Sequence, residues 1–220
     1  MQKNSSLIEL IYFDFPFWRV DICKLTLAIG SISYIEKEIS RKYFILNKES
    51  NEFPFGQVPV LKINNQIIAQ TAAMVRYCGK LANLYPSDFL DCAKIDQVID
   101  YANDITNLII PSIRERVFEK KKILRKQLND EVLPKWIGYL NRFFKLNNMS
   151  DFFLTKKFTI ADIIIWRILL WLTSGKLKDV DINLKYQFPE LSNYFTFISN
   201  QQILTSTKEY KFIIDNQSVN

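Results

Sequence analysis

The hydrophobic pattern of this chain changes once, near residues 83–90, and the change constrains the fold more than any other feature of the sequence. Before it, short apolar runs of strand-forming residues alternate with segments of helical spacing, whereas after it the strand pattern disappears. The predicted order is β-α-β-(short α)-β-β-α followed only by helices. A chain of 220 residues has room for two small cores. We therefore predict an α/β domain over residues 1–83, a linker over residues 84–90 and an all-α helical bundle over residues 91–220.

The individual elements follow from the periodicity and from the residues that interrupt it. Strands are predicted over Leu7–Phe13, Ser33–Ile39, Val58–Ile63 and Gln66–Ala69, with Asn64 and Asn65 forming a tight hairpin turn between the last two. Helices are predicted over Val20–Ile29, Thr71–Ala82, Asp91–Phe118, Lys121–Leu146, Ile160–Ser174 and Leu191–Tyr210. Pro111 and Pro134 should kink or break the two longest helices, because proline lacks an N–H and clashes with the preceding turn.

The composition excludes several classes of enzyme. The chain contains no histidine, which rules out Ser–His–Asp and Cys–His nucleophile systems, HExxH zinc helices and histidine-ligated haem. Its three cysteines, Cys23, Cys78 and Cys92, are too few for a four-thiolate zinc or iron–sulfur site. We expect no metal, and any chemistry must use other groups.

The location of the protein is predicted from the cysteines and the apolar runs. An odd number of widely spaced cysteines without a signal peptide indicates a reducing compartment, so a cytoplasmic protein is expected. The longest apolar run, Ile160–Leu172, is interrupted by Asp162 and Arg167 and is too short to span a bilayer. No membrane association is therefore predicted.

The net charge of +6 and the pI near 9.1 raise the question of a polyanionic partner. Much of the basic density lies in residues 114–126, where acidic and apolar residues are interspersed at helical spacing. This pattern favours a solvated helix face, with anion binding as the alternative. No nucleic-acid-binding motif is present, and no nucleic-acid partner is expected.

Two dipeptides carry candidate binding groups. Val58-Pro59 stands at the entrance of a predicted strand, where a cis peptide would turn the N–H and C=O of Val58 toward an open edge that could pair with an extended peptide. An ordinary proline between a loop and a strand is the alternative. Gln70-Thr71 stands where a strand passes into a helix, and a hydroxyl beside free backbone N–H groups suits a carboxylate. Thr71 could equally cap its own helix.

The joint pattern narrows these alternatives. Gly56-Gln57-Val58-Pro59-Val60-Leu61, the hairpin, and then Gln70-Thr71 with Met74, Arg76 and Tyr77 at this spacing resembles the glutathione-binding half of glutathione S-transferases. The segment from Phe158 to Asp162 is similar to the capping signature of their second domain, in which Thr159 and Asp162 cap a buried helix reciprocally. The resemblance covers essentially the whole chain and is closest to the tyrosine-using alpha, mu, pi and sigma group. It implies a thioredoxin-like first domain and a second domain that forms a hydrophobic substrate pocket.

The resemblance implies two catalytic residues. Tyr12 matches the tyrosine whose hydroxyl donates a hydrogen bond to the glutathione sulfur, which favours the thiolate and lowers the thiol pKa from about 8.5 toward neutrality. Arg19 is the arginine that can be matched in the loop after the first strand, where the family often has Arg-Gly-Arg and this chain has one extra residue. Arg19 is the first candidate to replace Tyr12 if the tyrosine proves dispensable.

The resemblance also implies the groups that bind glutathione. Val58 would pair with its cysteinyl part beside Pro59 and Gln57, while Gln70 and Thr71 would hold the γ-glutamyl carboxylate. The remaining assignments are Lys48 at the glycyl carboxylate, Phe44 where the family often has tryptophan, and Asp104 reaching the γ-glutamyl ammonium of the neighbouring subunit. Asp96 and Asp100 lie on similar helical faces and compete with Asp104 for that last role, as does a plain solvated acid.

The function implied by this resemblance is a cytoplasmic, homodimeric glutathione transferase that conjugates glutathione to small hydrophobic electrophiles. Glutathione is a co-substrate in this interpretation. Isomerisation or peroxide reduction by the same thiolate is an alternative. A non-catalytic binding protein of the same fold is another, because the segment Phe15–Arg19 and Phe44 depart from the family pattern.

Overall fold

The computed structural model describes residues 7–147 and 152–216 and begins with a four-stranded mixed sheet. Its strands are β1 (Ile8–Tyr12), β2 (Ile35–Glu38), β3 (Val60–Ile63) and β4 (Gln66–Ala69), in the spatial order β2-β1-β3-β4. Strand β1 is parallel to β2 and antiparallel to β3, which is antiparallel to β4. Helices follow after β4 without a further strand in the described residues. The predicted α/β plus all-α fold is confirmed.

Ten α-helices lie within the described ranges, together with one π-helical and one 3-10 segment. The first three are α1 (Trp18–Ile29), α2 (Arg41–Asn47) and α3 (Thr71–Leu81). The others are α4 (Phe89–Arg114), α5 (Phe118–Gln127), α6 (Leu133–Leu146), α7 (Ile160–Leu172), α8 (Pro189–Ser199), α9 (Gln202–Thr205) and α10 (Lys208–Asp215). The π-helical turn Leu128–Val132 joins α5 to α6, and the 3-10 turn Leu184–Gln187 precedes α8.

The ends of several helices differ from the predicted ones. The helix predicted over Asp91–Phe118 ends at Arg114, three residues after Pro111. The next predicted helix divides at the π-helical turn immediately before Pro134, where proline provides no N–H for the regular ladder. The last predicted helix is three helices, α8 to α10. The division into domains at residues 83–90 stays a prediction, although no helix or strand lies between Leu81 and Phe89.

The sheet is held in place by a buried central strand and by local turn chemistry. Ile8, Leu10 and Ile11 of β1 are each at most 3% exposed, because strands pair with β1 on both sides and helices cover it. The β3–β4 turn has Asn64 at φ +53°, and the Asn64 side chain accepts a hydrogen bond from the Leu7 N–H at 3.0 Å. The predicted hairpin is therefore present.

Helix α7 forms the centre of the helical domain and begins with the predicted capping box. The Asp162 carboxylate accepts from the Thr159 N–H at 2.8 Å, and the Thr159 hydroxyl accepts from backbone N–H groups of the first turn. The same carboxylate accepts hydrogen bonds from the Phe153 N–H and the Tyr194 hydroxyl, each at 2.8 Å. No helix in the described part of the chain is long and apolar enough to cross a membrane.

A buried ion pair joins the sheet domain to this central helix. The Arg167 guanidinium of α7 lies 2.6 Å (Nη2) and 2.8 Å (Nε) from Asp21 Oδ2 of α1, and both residues are at most 1% exposed. Burial raises the pKa of Asp21 and lowers that of Arg167, while the attraction between the two charges opposes both shifts. Each charge is therefore stabilised by contact with the other, because both residues are too buried for water to solvate one charge if the other is removed.

Replacing Arg167 by leucine should lower the free energy of unfolding by about 3–5 kcal/mol at pH 7, because it leaves the Asp21 carboxylate buried without a counter-charge. The double variant Asp21→Leu, Arg167→Leu should recover most of this loss, since an apolar pair of similar volume needs no compensation. Urea unfolding followed by circular dichroism measures both. A loss below about 1 kcal/mol in the single variant, or no recovery in the double variant, would contradict this account.

Candidate active site

A cleft of about 600 Å³ lies between helix α4 and the edge of the sheet where β4 ends and β3 begins. Seven of the ten predicted site residues line it: Arg19, Phe44, Gln57, Val58, Pro59, Gln70 and Thr71. They come from the start of α1, from α2, from the loop before β3 and from the start of α3. Helix α4 forms the opposite wall with Asp100, Asn103, Asn107, Ile110 and Arg114. The fold thus brings together most residues that the sequence predicted.

Tyr12 ends β1 beside the cleft rather than in its lining. The side chain is 8% exposed, and its ring packs at 5.3 Å from that of Phe13 and at 5.4 Å, edge-on, from that of Phe15. Burial and the negative charge of Asp21 raise the pKa of Tyr12, whereas the positive charge of the nearby Arg19 lowers it. The hydroxyl therefore stays protonated at neutral pH. Among the described residues it has no hydrogen-bond partner, so it is a donor available to a sulfur or oxygen atom.

Arg19 is a part-buried cation without a counter-ion in the described part of the chain. Its Nε is buried and has no hydrogen-bond partner, and its guanidinium carbon lies 5.7 Å from the centre of the Trp18 ring. Burial lowers the pKa of Arg19, and the neighbouring Tyr12 opposes this shift. A guanidinium that is partly removed from water and faces a cleft attracts negative charge more strongly than an exposed one.

The start of α3 provides free backbone donors. Gln70 is the N-cap residue, at φ +71° and ψ +120°, and its side chain makes no capping hydrogen bond. Thr71 is the first residue of the helix, so it does not serve as its cap. The Thr71 side chain and the first N–H groups of α3 therefore remain at the cleft, which suits a carboxylate.

The segment before β3 supplies an open stretch of backbone. The Val58–Pro59 peptide bond is cis. Ladder pairing begins only at Val60, and no backbone hydrogen bond joins Val58 to another described residue. Gly56, at φ +57°, turns the chain into this segment, and Gln57 is exposed beside it.

Phe44 and Lys48 belong to α2 and its end. The Phe44 ring packs edge-on against Phe13 at 5.7 Å and Phe53 at 5.2 Å, so it forms an apolar part of the cleft wall. Lys48 is exposed, and its Nζ lies 3.6 Å from Glu49 Oε1, outside the residues that line the cleft. The backbone of Lys48 nevertheless lies beside the cleft residue Gly56, because a β-carbon built on that glycine would be 3.6 Å from the Lys48 carbonyl.

The three acidic residues of α4 that compete for the γ-glutamyl ammonium occupy different positions. Asp96 accepts hydrogen bonds from Arg76 Nε at 2.7 Å and the Tyr85 hydroxyl at 2.8 Å. Asp100 lies 3.7 Å from Arg76 Nη2 and lines the cleft, whereas Asp104 is exposed and does not. The expectation for Asp104 concerned a neighbouring subunit, so it stays a prediction.

Several cleft residues escaped the sequence analysis. Asn103, Asn107 and Arg114 face the cleft from α4. The available signal for the α4 residues was the helical period that begins at Asp100, because residues three and four apart share one face. Phe15 lies in the segment Phe15–Arg19 that the sequence analysis had singled out, but only the loop geometry places its ring 5.4 Å from that of Tyr12.

The cysteines form no redox or metal centre in the described residues. Cys23 and Cys78 are fully buried and in contact, and the hydrogen bond that the Cys23 thiol donates to Cys78, together with burial, raises the pKa of Cys23. In residues 7–147 and 152–216, no group of three or more Cys, Asp or Glu side chains is placed to hold a metal ion.

Comparison with known proteins identifies the family of this two-domain fold and cleft. Residues 8–80 match the glutathione S-transferase N-terminal domain, and residues 103–206 match the glutathione S-transferase C-terminal domain. A glutathione S-transferase of Plasmodium yoelii yoelii is 30% identical over 205 residues, covering 87% of this chain and 83% of its own length. A glutathione S-transferase of Plasmodium falciparum is 30% identical over 232 residues, covering 92% of this chain and 97% of its own length. The chain belongs to the glutathione S-transferase family.

Among solved structures, prostaglandin synthase D of Nilaparvata lugens shares the fold, with a TM-score of 0.77 and 24% identity over 97% of this chain and 100% of that one. The sequence relatives support an enzyme, a glutathione transferase with glutathione as substrate, rather than a non-catalytic protein of the same fold.

Because the Gln70 side chain is predicted to hold the γ-glutamyl carboxylate while its backbone has a positive φ, Gln70→Gly should stabilise the protein and weaken its binding of glutathione. Glycine adopts this conformation without the strain of about 1–3 kcal/mol that a residue with a β-carbon incurs. We expect a gain of about 1 kcal/mol in unfolding free energy, with a higher glutathione dissociation constant by calorimetry. The control Asn64→Gly changes a positive-φ residue of the hairpin turn outside the cleft and should leave binding unchanged. Unchanged binding in Gln70→Gly would refute this role.

Proposed function

We propose that this glutathione transferase conjugates the glutathione thiolate to small hydrophobic electrophiles, with Tyr12 donating a hydrogen bond to the sulfur. The observation that carries the proposal is the single cleft that joins seven predicted site residues. A hydroxyl that stays protonated at neutral pH stabilises a thiolate beside it, because a hydrogen bond to the charged form favours that form. The Arg19 guanidinium adds positive charge on the same side of the cleft.

The peptide part of glutathione matches the polar groups of the cleft. Thr71 and the first N–H groups of α3 bind the γ-glutamyl carboxylate, and the unpaired backbone of Val58 pairs with the cysteinyl residue in the manner of an added strand. Gln57 lies along the peptide, and Lys48 serves the glycyl carboxylate. Phe44 stands where the family often has a tryptophan and offers no N–H donor. The glycyl carboxylate is therefore held mainly by the positive charge of Lys48.

Tyr12→Phe should reduce turnover of a generic aryl halide by roughly 10- to 100-fold at pH 6.5, because loss of a hydrogen bond to a charged group costs about 1.5–3 kcal/mol. The thiol pKa of bound glutathione should rise by about one to two units. The loss should therefore shrink as the pH rises and glutathione ionises without help. Thiolate absorbance and pH–rate profiles measure both effects.

The matched control is Tyr186→Phe, which removes a tyrosine hydroxyl from the 3-10 turn outside the cleft. It should leave the pH–rate profile unchanged. Unchanged activity in Tyr12→Phe would transfer the catalytic role to Arg19. Failure of the wild-type protein to be retained on immobilised glutathione would overturn the proposal as a whole.

We further propose that the protein is a homodimer in which Phe55 of each subunit inserts into the other. Phe55 is 62% exposed, next to Gly56 and Gln57 of the cleft. Helices α4 and α6 enclose an apolar cavity of about 250 Å³, lined by Gln97, Val98, Tyr101, Tyr139, Leu140, Arg142, Phe143 and Leu146. A dry cavity of about 150 Å³ is known to hold benzene, so one phenyl ring fits. Because a two-fold interface uses the same surfaces twice, the contact forms in both directions.

This arrangement would also explain the predicted role of Asp104. Tyr101 lines the apolar cavity, and Asp104 lies one helical turn further along α4. When Phe55 occupies the cavity of its partner, the partner's Asp104 comes near the cleft that Gly56 and Gln57 line. The γ-glutamyl ammonium would then meet a carboxylate from each side, Asp100 of its own chain and Asp104 of the partner subunit.

Phe55→Ser should raise the dissociation constant of the dimer roughly 30-fold, because a buried aromatic anchor contributes about 2 kcal/mol or more. Sedimentation velocity across a protein dilution series measures this change. The control Phe118→Ser alters another exposed phenylalanine, 72% exposed at the start of α5, and should have no effect on association. Equal association of Phe55→Ser and the wild-type protein would exclude this interface.

A further inference from the structure

The side chains that α4 contributes to the cleft wall change from negative to positive charge along the helix. Its cleft-facing residues are Asp100, Asn103, Asn107, Ile110 and Arg114, at alternating spacings of three and four residues. Such spacing places all five on one face of the helix. The stripe therefore begins with a carboxylate, continues with two amides and an apolar residue, and ends with a guanidinium.

Arg114 differs from the other basic residues of the segment 114–126. Of that segment, Arg114 alone is among the residues that line the cleft. Lys126 pairs with Asp130, and Arg125 is buried near Asp179. No carboxylate of the described residues lies within ion-pair distance of Arg114, and the adjacent Glu115 accepts a hydrogen bond from the Val117 N–H at 2.8 Å instead.

The position of Arg114 along the cleft separates it from the predicted glutathione site. A helix rises 1.5 Å per residue, so Arg114 lies about 20 Å from Asp100 and about 10 Å beyond Asn107. At one end of the stripe, Asp100 lies 3.7 Å from Arg76 of α3, the helix whose start is proposed to bind glutathione. Ile110 and Arg114 line the cleft at the other end of the stripe. The second substrate thus meets an apolar side chain followed by a cation.

We propose that Arg114 selects electrophiles that carry a carboxylate. An aryl or alkenyl electrophile would place its apolar body against Ile110 and its carboxylate on the guanidinium, whose fork of N–H donors matches a carboxylate in two hydrogen bonds. Arg19 is the other unpaired guanidinium of the cleft, but it lies beside Tyr12 and so acts on the thiolate. This inference rests on the proposed function and names the substrate class of the same site.

A suitable probe is an aryl chloride that reacts with glutathione alone, by substitution of its chlorine. In 4-chloro-3,5-dinitrobenzoate, the thiolate sulfur forms a bond to the ring carbon that carries chlorine. The carbon–chlorine bond then breaks, and its electron pair leaves with chloride. The thiol proton passes to solvent when glutathione ionises. The methyl ester of the same acid undergoes the same substitution without a negative charge.

The test compares these two electrophiles, each expressed as kcat/KM divided by the uncatalysed rate with glutathione. The wild-type protein should favour the carboxylate about tenfold on this measure, and the preference should fall as salt is raised from about 50 to 500 mM. Arg114→Gln should lower the value for the carboxylate about five- to tenfold. The value for the ester and the KM for glutathione should stay within about twofold.

Two variants control for charge and for general disturbance. Arg114→Lys keeps a cation at the position but lacks the fork of N–H donors, and it should recover part of the carboxylate preference. Arg116→Gln removes an exposed neighbouring cation that does not line the cleft and should change neither value. Calorimetry of the two product conjugates gives a second readout, in which Arg114→Gln should weaken the carboxylate conjugate alone.

The outcomes separate this inference from the function on which it rests. Turnover of both electrophiles without a preference, or an equal loss for both in Arg114→Gln, would overturn the role of Arg114 and leave the transferase function intact. Turnover of neither electrophile by the wild-type protein would overturn the proposed conjugation itself, and with it this inference.

Discussion

The arrangement of the cleft depends on the buried ion pair between Asp21 and Arg167. Helix α1 carries Arg19 at its second residue and packs against both α3 and α7, so its position determines where one wall of the cleft lies. Two charges removed from water are tolerated only in contact with each other. Helix α1 therefore cannot shift along α7 without separating Asp21 from Arg167, and the sheet domain is held in one position relative to the helical domain.

Within that frame, the site is made largely from the ends of elements. Tyr12 ends β1, Arg19 begins α1, Val58 precedes β3 and Thr71 begins α3. Strand and helix ends leave backbone donors and acceptors unpaired, and these groups can bind a peptide without any specialised side chain. The proposed thiol site therefore needs no histidine, because it consists of a hydroxyl, free backbone groups and a guanidinium.

The features that the sequence predicted well are those with local causes. The Asn64 turn and the Thr159–Asp162 capping box depend on residues within a few positions of each other, and both are present. The break near Pro134 also has a local cause, the missing N–H of proline, and it was predicted. The division of the C-terminal segment into three helices was not predicted from its apolar period. For the cleft wall on α4, the sequence offered only the helical spacing of three and four residues that begins at Asp100. Choosing Asp100 over Asp104 for this chain's own cleft required the position of the sheet domain.

The sequence by itself determined the order of the elements, the exclusion of histidine-based chemistry and the family resemblance that brought Tyr12, Gln70 and Thr71 forward. These conclusions follow from residue types and short spacings. Only the tertiary structure decided that the Tyr12 hydroxyl is buried without a hydrogen-bond partner among the described residues, that Thr71 is free of a capping role and that Arg114 faces the cleft without a counter-ion. Burial and pairing are properties of neighbours distant in sequence, and a linear pattern carries no information about their distances.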